Sequence, residues 1–487
     1  MLVLEPAEPR GRDVVARARR QRDGAGGRSS SSSPPPSSFV KALLMAGEDI
    51  RKTRRHNARR AGMRASRRRG GASSVAIEEM SKPDSREAAS PHRQLLRTGA
   101  FLRLWTAGGF TNAMRWLEIL VAGLFVFEVK RSAFAVAVVT MMRSVPMLVA
   151  GALAGVVAES LDRKRLLLAG QALNAATAAL LAVSGALGLL SVWQLALASL
   201  ASGLVWATEM AVRRRMAGEA AGETHVAAAI ALDSMTSSVT RMLGPILGGL
   251  AFEALGVAGA FAAAALGHCV AIAACLRLRH RQEVQELQLR AVPSAIAEAA
   301  RLAARTPIVR SILVVTVVMN VFAFSYTTVF PAWGERVFAA SPSMVGLLAG
   351  AEPFGALIGA WIIATRRIPI APNQLFVGGS VMFMLLLAAA ANLPLFALAW
   401  MLLALGGLGT AAFGAMQTTL VITNVAADAR SRVLGLVTTC IGMGPAGILA
   451  AGALTDRLGP SAALTVMACT GAVLALVFRQ RVASPPA

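Results

Sequence analysis

"GLAFEALG" at residues 249–256 and "GALTDRLG" at residues 452–459 lie 203 positions apart, and they share both end glycines, a leucine, and an acid at Glu253 and Asp456. An offset of 204 sets Gly151 and Gly155 on Gly355 and Gly359, and Arg163 on Arg367. Nearly equal offsets at the start and end of two long stretches are the trace of a duplicated unit. Glycine matches alone would be weak, because small residues recur wherever helices pack closely.

The repeated unit is strongly apolar. Of 487 residues, 55% are hydrophobic and 15% charged, and the mean hydropathy is +0.58. Apolar runs of about 20 residues, enough to cross ~30 Å of hydrocarbon, recur along the chain. Cut at turns and charges, they give spans at 104–127, 133–158, 165–189, 192–212, 226–251 and 257–276, then 309–332, 342–364, 374–392, 395–418, 432–454 and 461–478. The polar stretch "RLRHRQEVQELQLRAVPSAIAEAARLAART" (277–306) divides six from six. The expected fold is an all-α membrane protein with twelve transmembrane helices in two pseudo-symmetric six-helix bundles, 100–276 and 309–480, joined by a linker at 277–308 and ended by a tail at 481–487.

Residues 1–99 form a basic N-terminal extension of another kind, with "SSSSSPPP" (29–36) and "RKTRRHNARR" (51–60). Such polar, Arg-rich composition cannot bury enough apolar surface to fold and reads as disorder. The reading favoured here is an upstream extension, with "MSKPDSREAASPHRQLLRTGAF" from Met80 as the short polar lead into the first span. A cytoplasmic tail and an Arg/Ser-rich targeting sequence are the alternatives.

The formal charge of +23 would suggest nucleic acid in a soluble protein, but outside that extension the basic residues gather in short loops. One set of alternate connections carries nineteen Lys and Arg and the other carries Lys130, Arg131, Arg336 and Arg457. This positive-inside bias expects both termini in the cytoplasm, for a multi-pass protein of a bacterial inner membrane. Neither nucleic acid, a metal nor a cofactor is expected: Cys269, Cys275, Cys440 and Cys469 lie in apolar segments without CxxC or ligand-like His spacing, as small core residues do.

"GVVAESLDRKRLLL" (155–168), between spans 2 and 3, resembles the loop signature of the major facilitator superfamily, with Gly155, Glu159, Arg163 and Lys164 on its positions. "RMLGPILGG" (241–249) in span 5 resembles the antiporter signature of that superfamily's exporters, through Gly244, Pro245, Gly248 and Gly249, and "GMGPAG" (442–447) echoes it in span 11. The style of the chain is most similar to the drug-exporter and enterobactin-exporter-like branch. The resemblance implies a twelve-helix carrier working by alternating access, a cytoplasmic gate built on Gly155, Glu159, Asp162, Arg163, Lys164 and Arg165, and protons as partners. Ser160 replaces an arginine usual in that loop, and Ser199 stands about where other drug–proton antiporters carry a membrane arginine.

Physical chemistry gives the motifs their reasons. Proline removes a backbone donor, so Pro245 expects a bend, and the glycines beside it expect close helix packing. Charges in the spans are sharper signals, since one at bilayer depth costs roughly 2.5 to 3.5 kcal/mol on insertion scales and faces a partner or a water-filled cavity. The candidates for a solute or proton pathway are Asn112, Arg115, Glu118, Arg143, Asp233, Arg241, Asn320, Glu352 and Gln417. Arg115 and Glu118, three apart, share one helix face; the alternative for this pair is a structural ion-pair network joining spans 1 and 2. Glu209 and Arg213 read as a structural pair near the interface, and His268 as a satisfied core histidine. A membrane enzyme would need a cluster of His, Asp or Ser at one interface, and "AAGETHVAA" (220–228) offers none. The function expected is a monomeric secondary transporter, exporting a small amphipathic solute such as a drug or siderophore against protons; a transporter-folded sensor or scaffold is the alternative.

Overall fold

The computed structural model describes residues 95, 98–160, 162–222, 225–278, 301, 305–365 and 369–479. The N-terminal extension, most of the linker and the C-terminal tail lie outside the described residues. Within them every regular element is helical.

The first half runs as α1 (Gly99–Lys130), α2 (Ala133–Ser160), α3 (Arg163–Ala186), α4 (Val192–Ala221), then one long helix, Val226–Leu276. Local chemistry sets the ends. Asp162 caps α3 by accepting from the Arg165 amide, and Ser191 with Gln194 forms a capping box on α4. The long helix breaks at Gly256, with φ 67° and ψ −177°, a conformation that essentially only glycine tolerates. That corner separates α5 (226–255) from α6 (257–276), close to the boundary expected between spans 5 and 6.

The second half opens with α7, Pro307–Phe338, whose middle departs from α geometry: a π turn over Met319–Ala323 and a 3₁₀ turn over Phe324–Val329. Such irregular backbone at membrane depth is tolerated where it lines a cavity or is buried in protein. Then come α8 (Pro342–Thr365), α9 (Pro372–Ala391), α10 (Phe396–Asn424), α11 (Ala427–Ile441 continued by Gly444–Leu458) and α12 (Pro460–Arg479). Among the described residues nine helices are long and apolar enough to cross a membrane, one of them the bent α5–α6 pair. Helix α2 contributes a shorter apolar stretch, Ala133–Leu148. The architecture is the expected one, twelve membrane helices in two halves.

Backbone angles stay helical through Pro245, and in α5–α6 only Gly256 leaves them. In the weaker echo the helix is interrupted: α11 stops at Ile441 and restarts at Gly444. The small residues of "GPILGG" serve packing as expected: a Cβ on Gly244 would lie 2.6 Å from Cβ of Trp116, and one on Gly248 would lie 3.0 Å from the Leu117 carbonyl, so α5 presses against α1.

Two helix pairs bring backbone close to backbone across the halves: a Cβ on Gly249 of α5 would meet the Pro342 carbonyl of α8, and one on Gly452 of α11 would sit 2.9 Å from the Ala133 carbonyl of α2. The second half holds one large apolar core, including Phe376, Phe383, Leu387 and Trp333. The first half holds two smaller ones, around Val121 with Phe261, and around Phe101 with Val212. Large apolar side chains such as Trp193, Leu266 and Trp361 are exposed on the outside, as on a lipid-facing surface. Cys275 is buried, but Cys269 and Cys469 also face outward, unlike the core positions expected of them.

Candidate functional site

A cavity of about 270 Å³ lies at the seam of the two halves. Helices α1, α2, α4 and α5 wall one side, and α7, α8 and α11 the other. Trp116, Trp206, Phe324, Phe330 and Tyr326 give it an aromatic surface, and its charged lining residues are Arg143, Arg241 and Glu352. The irregular middle of α7 forms one wall, from Phe324 to Thr328, which explains why that backbone departs from α geometry there.

Four of the nine candidate residues line this cavity: Arg143, Arg241, Asn320 and Glu352. The remaining five are packed between helices. Asn112, Arg115, Glu118, Asp233 and Gln417 are all under a tenth exposed, and none of them lines it. Where sequence spacing set Arg115 and Glu118 side by side, packing draws them to different partners.

Arg115 donates to Oε2 of Glu209 on α4 at 2.5 Å and to Oδ1 of Asn112 at 2.5 Å, and lies 5.1 Å from the Trp206 ring centre. Glu209 also meets Nε of Arg213 at 3.4 Å, and Arg213 reaches Asp233 on α5. This chain ties α1, α4 and α5 through alternating charges, so each buried ion has a counter-ion, as the cost of burying charge requires.

Glu118 anchors a second network. Its Oε1 is 3.1 Å from Nε2 of His268 on α6, whose Nδ1 is 3.1 Å from Oε1 of Gln171 on α3. Its Oε2 is 3.7 Å from Nη2 of Arg143 on α2, and Arg143 donates to Ser202 on α4 at 2.8 Å. Five helices of the first half converge on one carboxylate, and Arg143 connects it to the cavity wall. His268 is satisfied at both ring nitrogens.

Glu352 on α8 accepts 2.8 Å hydrogen bonds at both oxygens from Nη2 of Arg241 on α5, an ion pair that crosses from one half to the other. Thr410 on α10 donates to Oε1 of Glu352, and the Tyr326 hydroxyl lies 3.5 Å from Oε2. Asn320 bonds the Thr316 carbonyl at 2.9 Å, and Gln417 donates to the Thr316 hydroxyl at 2.6 Å, tying α10 to α7.

Of the loop cluster, the surroundings of Gly155 and the side chain of Glu159 lie outside what is described. Asp162 caps α3, and Arg163 pairs with Glu219 on α4 at 2.6 Å. Lys164 donates to the Leu276 carbonyl at 3.0 Å, at the C-terminal end of α6 where the helix dipole favours a cation. Arg165 is exposed, its amide held by Asp162. These contacts join helices of the first half to one another.

Among the described residues, further contacts between the halves lie on the face opposite the basic loops. Asp456 at the end of α11 accepts from the amides of Ala133 and Phe134, at 2.7 and 3.0 Å, and from the Ser132 hydroxyl at 2.6 Å. Glu253 at the end of α5 accepts from the Ser343 amide at 2.9 Å. Each carboxylate caps the first turn of a helix in the other half, α2 or α8. Arg131 pairs with Glu335, and Arg336 donates to the Arg131 carbonyl at 2.9 Å.

The sequence missed Glu209 as a buried hub, and it missed Tyr326, Thr410, Ser202 and Gln171. One signal was present: Tyr326 is the single tyrosine in the chain.

A family profile described as transmembrane secretion effector matches residues 90–486. Solved structures share the fold at low identity. A bacterial homologue of the human lysosomal transporter Spinster, inward-facing and unoccupied, aligns with TM-score 0.65 at 15% identity over 82% of this chain and 100% of that one. The nucleoside transporter NupG gives 0.62 at 15% over 79% and 100%. A POT family transporter in complex with 5-aminolevulinic acid gives 0.60 at 12% over 79% and 96%. No curated protein matches the sequence.

Proposed function

Because the chain belongs to the transmembrane secretion effector family, whose members are membrane transporters of the major facilitator type, we propose that it exports a small amphipathic solute, a drug-like compound or siderophore, by alternating access coupled to protons. The observation that carries this reading is the seam cavity, walled by both halves and combining aromatic surface with Arg143, Arg241 and Glu352. A site shared by two halves changes its access when one half rocks against the other. The contacts made by Asp456, Glu253 and Arg131 close the face opposite the basic loops in this conformation, and the opposite state requires them to part.

In this reading the basic loops face the cytoplasm of a bacterial inner membrane, with both termini on that side, and the protein works as a monomer that needs no cofactor. The drug-exporter and enterobactin-exporter-like branch is the one its motifs fit. Glu118 carries the proton: it is a buried carboxylate whose partners His268 and Arg143 both change their interaction with it when its charge is lost. Arg143 transmits that change, since it touches Glu118 and lines the cavity. Arg115, Asn112 and Asp233 hold the helices around it, and Asn320 and Gln417 shape the α7 wall.

Reconstitution in sealed vesicles with an imposed pH gradient tests the proposal. Solutes from a panel of siderophores and lipophilic drugs are accumulated, and proton movement is followed with a trapped dye. Glu118→Gln is expected to abolish proton-linked flux while the protein still inserts. Full proton-linked flux in that variant would overturn the role of Glu118, and no flux of any solute by the unaltered protein would overturn the exporter reading.

A further inference from the structure

Arg241 makes unequal use of its two sides. Both of its bonds to Glu352 leave from a single nitrogen, Nη2. A guanidinium has five N–H donors in a planar fork and stays charged in proteins. Among the described residues no partner is recorded for its Nη1 and Nε donors. The side chain lines the cavity at 30% exposure, whereas Glu352 behind it is 2% exposed.

Each arginine of the cavity wall has a carboxylate behind it, Glu118 for Arg143 and Glu352 for Arg241. The two arginines differ in availability. Arg143 is 7% exposed and bonded to Ser202 and Glu118, so its donors are turned into the helix bundle. Arg241 is the more exposed of the two and shares the lining with the apolar rings of Trp116, Phe324 and Phe330.

We propose that the donors of Arg241 left unused by Glu352 bind the anionic head of the transported solute, a carboxylate or phosphate-like group, while an apolar body rests on the aromatic wall. This deepens the exporter reading and rests on it. A hydrogen bond from an ionised donor to an anion is about twice as strong as one between neutral groups, which favours an anionic head at these donors. Glu352 is a positioning residue here: it holds the opposite corner of the guanidinium, and Thr410 and Tyr326 hold Glu352 from its own half. The solute then sits where an arginine of one half is anchored to a carboxylate of the other, so its head group reports on the contact between the halves.

Three probes that share one ring system and differ in head group test this. Binding of 2-naphthoate, 2-naphthamide and 2-naphthylmethylammonium to the full chain in lipid nanodiscs is measured by calorimetry, with empty nanodiscs as reference. The unaltered protein is expected to bind 2-naphthoate at least about tenfold more tightly than the amide, a charge-assisted hydrogen bond being worth that much, and the ammonium most weakly. Arg241→Gln is expected to remove the preference for naphthoate over the amide. Glu352→Gln, which keeps a side-chain oxygen to accept from Nη2, is expected to retain that preference. Both substitutions break the same ion pair, so equal losses in the two variants would mean a structural role and overturn the proposal. Equal affinity for the three probes, or no naphthoate binding by the unaltered protein, would overturn it as well. Vesicle flux is measured alongside: flux without head-group preference overturns this subsite alone, whereas absence of flux overturns the exporter reading.

Discussion

The two halves of the molecule have the same helical plan and opposite interiors. In the first, Arg115, Glu118, Arg143, Glu209, Arg213 and Asp233 are buried and linked into networks, with His268 and Gln171 among them. In the second, the one buried charged side chain among the described residues is Glu352, and the centre is filled by Phe376, Phe383, Met384 and Leu387. A duplicated backbone therefore does not oblige duplicated chemistry. Helix packing at close glycine contacts maintains the plan in both halves, which leaves the side chains of one free to hold ions and those of the other free to pack apolar surface.

Breaking the first half at its hub is the most damaging test. Glu209→Ala leaves Arg115 and Arg213 without their shared carboxylate, and loss of one partner from a buried pair costs about 3–5 kcal/mol. Unfolding in mixed micelles with rising dodecyl sulfate is expected to show that loss. Removing both ions together sharpens the point: Arg115→Met with Glu209→Met is expected to lose less than Glu209→Ala alone, because apolar replacements avoid a stranded charge.

For the second half, Phe383→Ala at a fully buried ring is expected to cost about 3 kcal/mol through the cavity it leaves. The same micelle titration measures it, and solute flux is expected to survive where the protein folds. Gln417→Leu gives the smallest effect, because a hydrogen bond between membrane helices averages only about 0.6 kcal/mol. A loss as large as that of Glu209→Ala would erase the contrast between the halves.

How much of this was legible followed from how far each signal travels along the chain. Spans, their grouping and the corner before α6 rest on local composition, and Gly256 belongs to the very octapeptide that exposed the duplication. Partnership was harder to read. Ending its span at residue 212 puts Glu209 near an interface, whereas α4 continues to Ala221. Glu209 is thus twelve residues, about 18 Å at 1.5 Å per residue, from the helix end, and there it meets Arg115. Thr410 and Tyr326 are 58 and 26 residues from Glu352, and only the packing of α7, α8 and α10 makes them its neighbours. Glu352 and Arg241 were visible as costly charges, but not as a pair across the seam.

The two acids that opened the sequence reading, Glu253 and Asp456, occupy matching places in the halves, and each caps the second helix of the other half. Written for two identical subunits, this exchange is isologous: the same surface serves both partners, and each gives what it receives. The seam at that face thus retains the form of a two-fold symmetric dimer interface, now made by one continuous polypeptide.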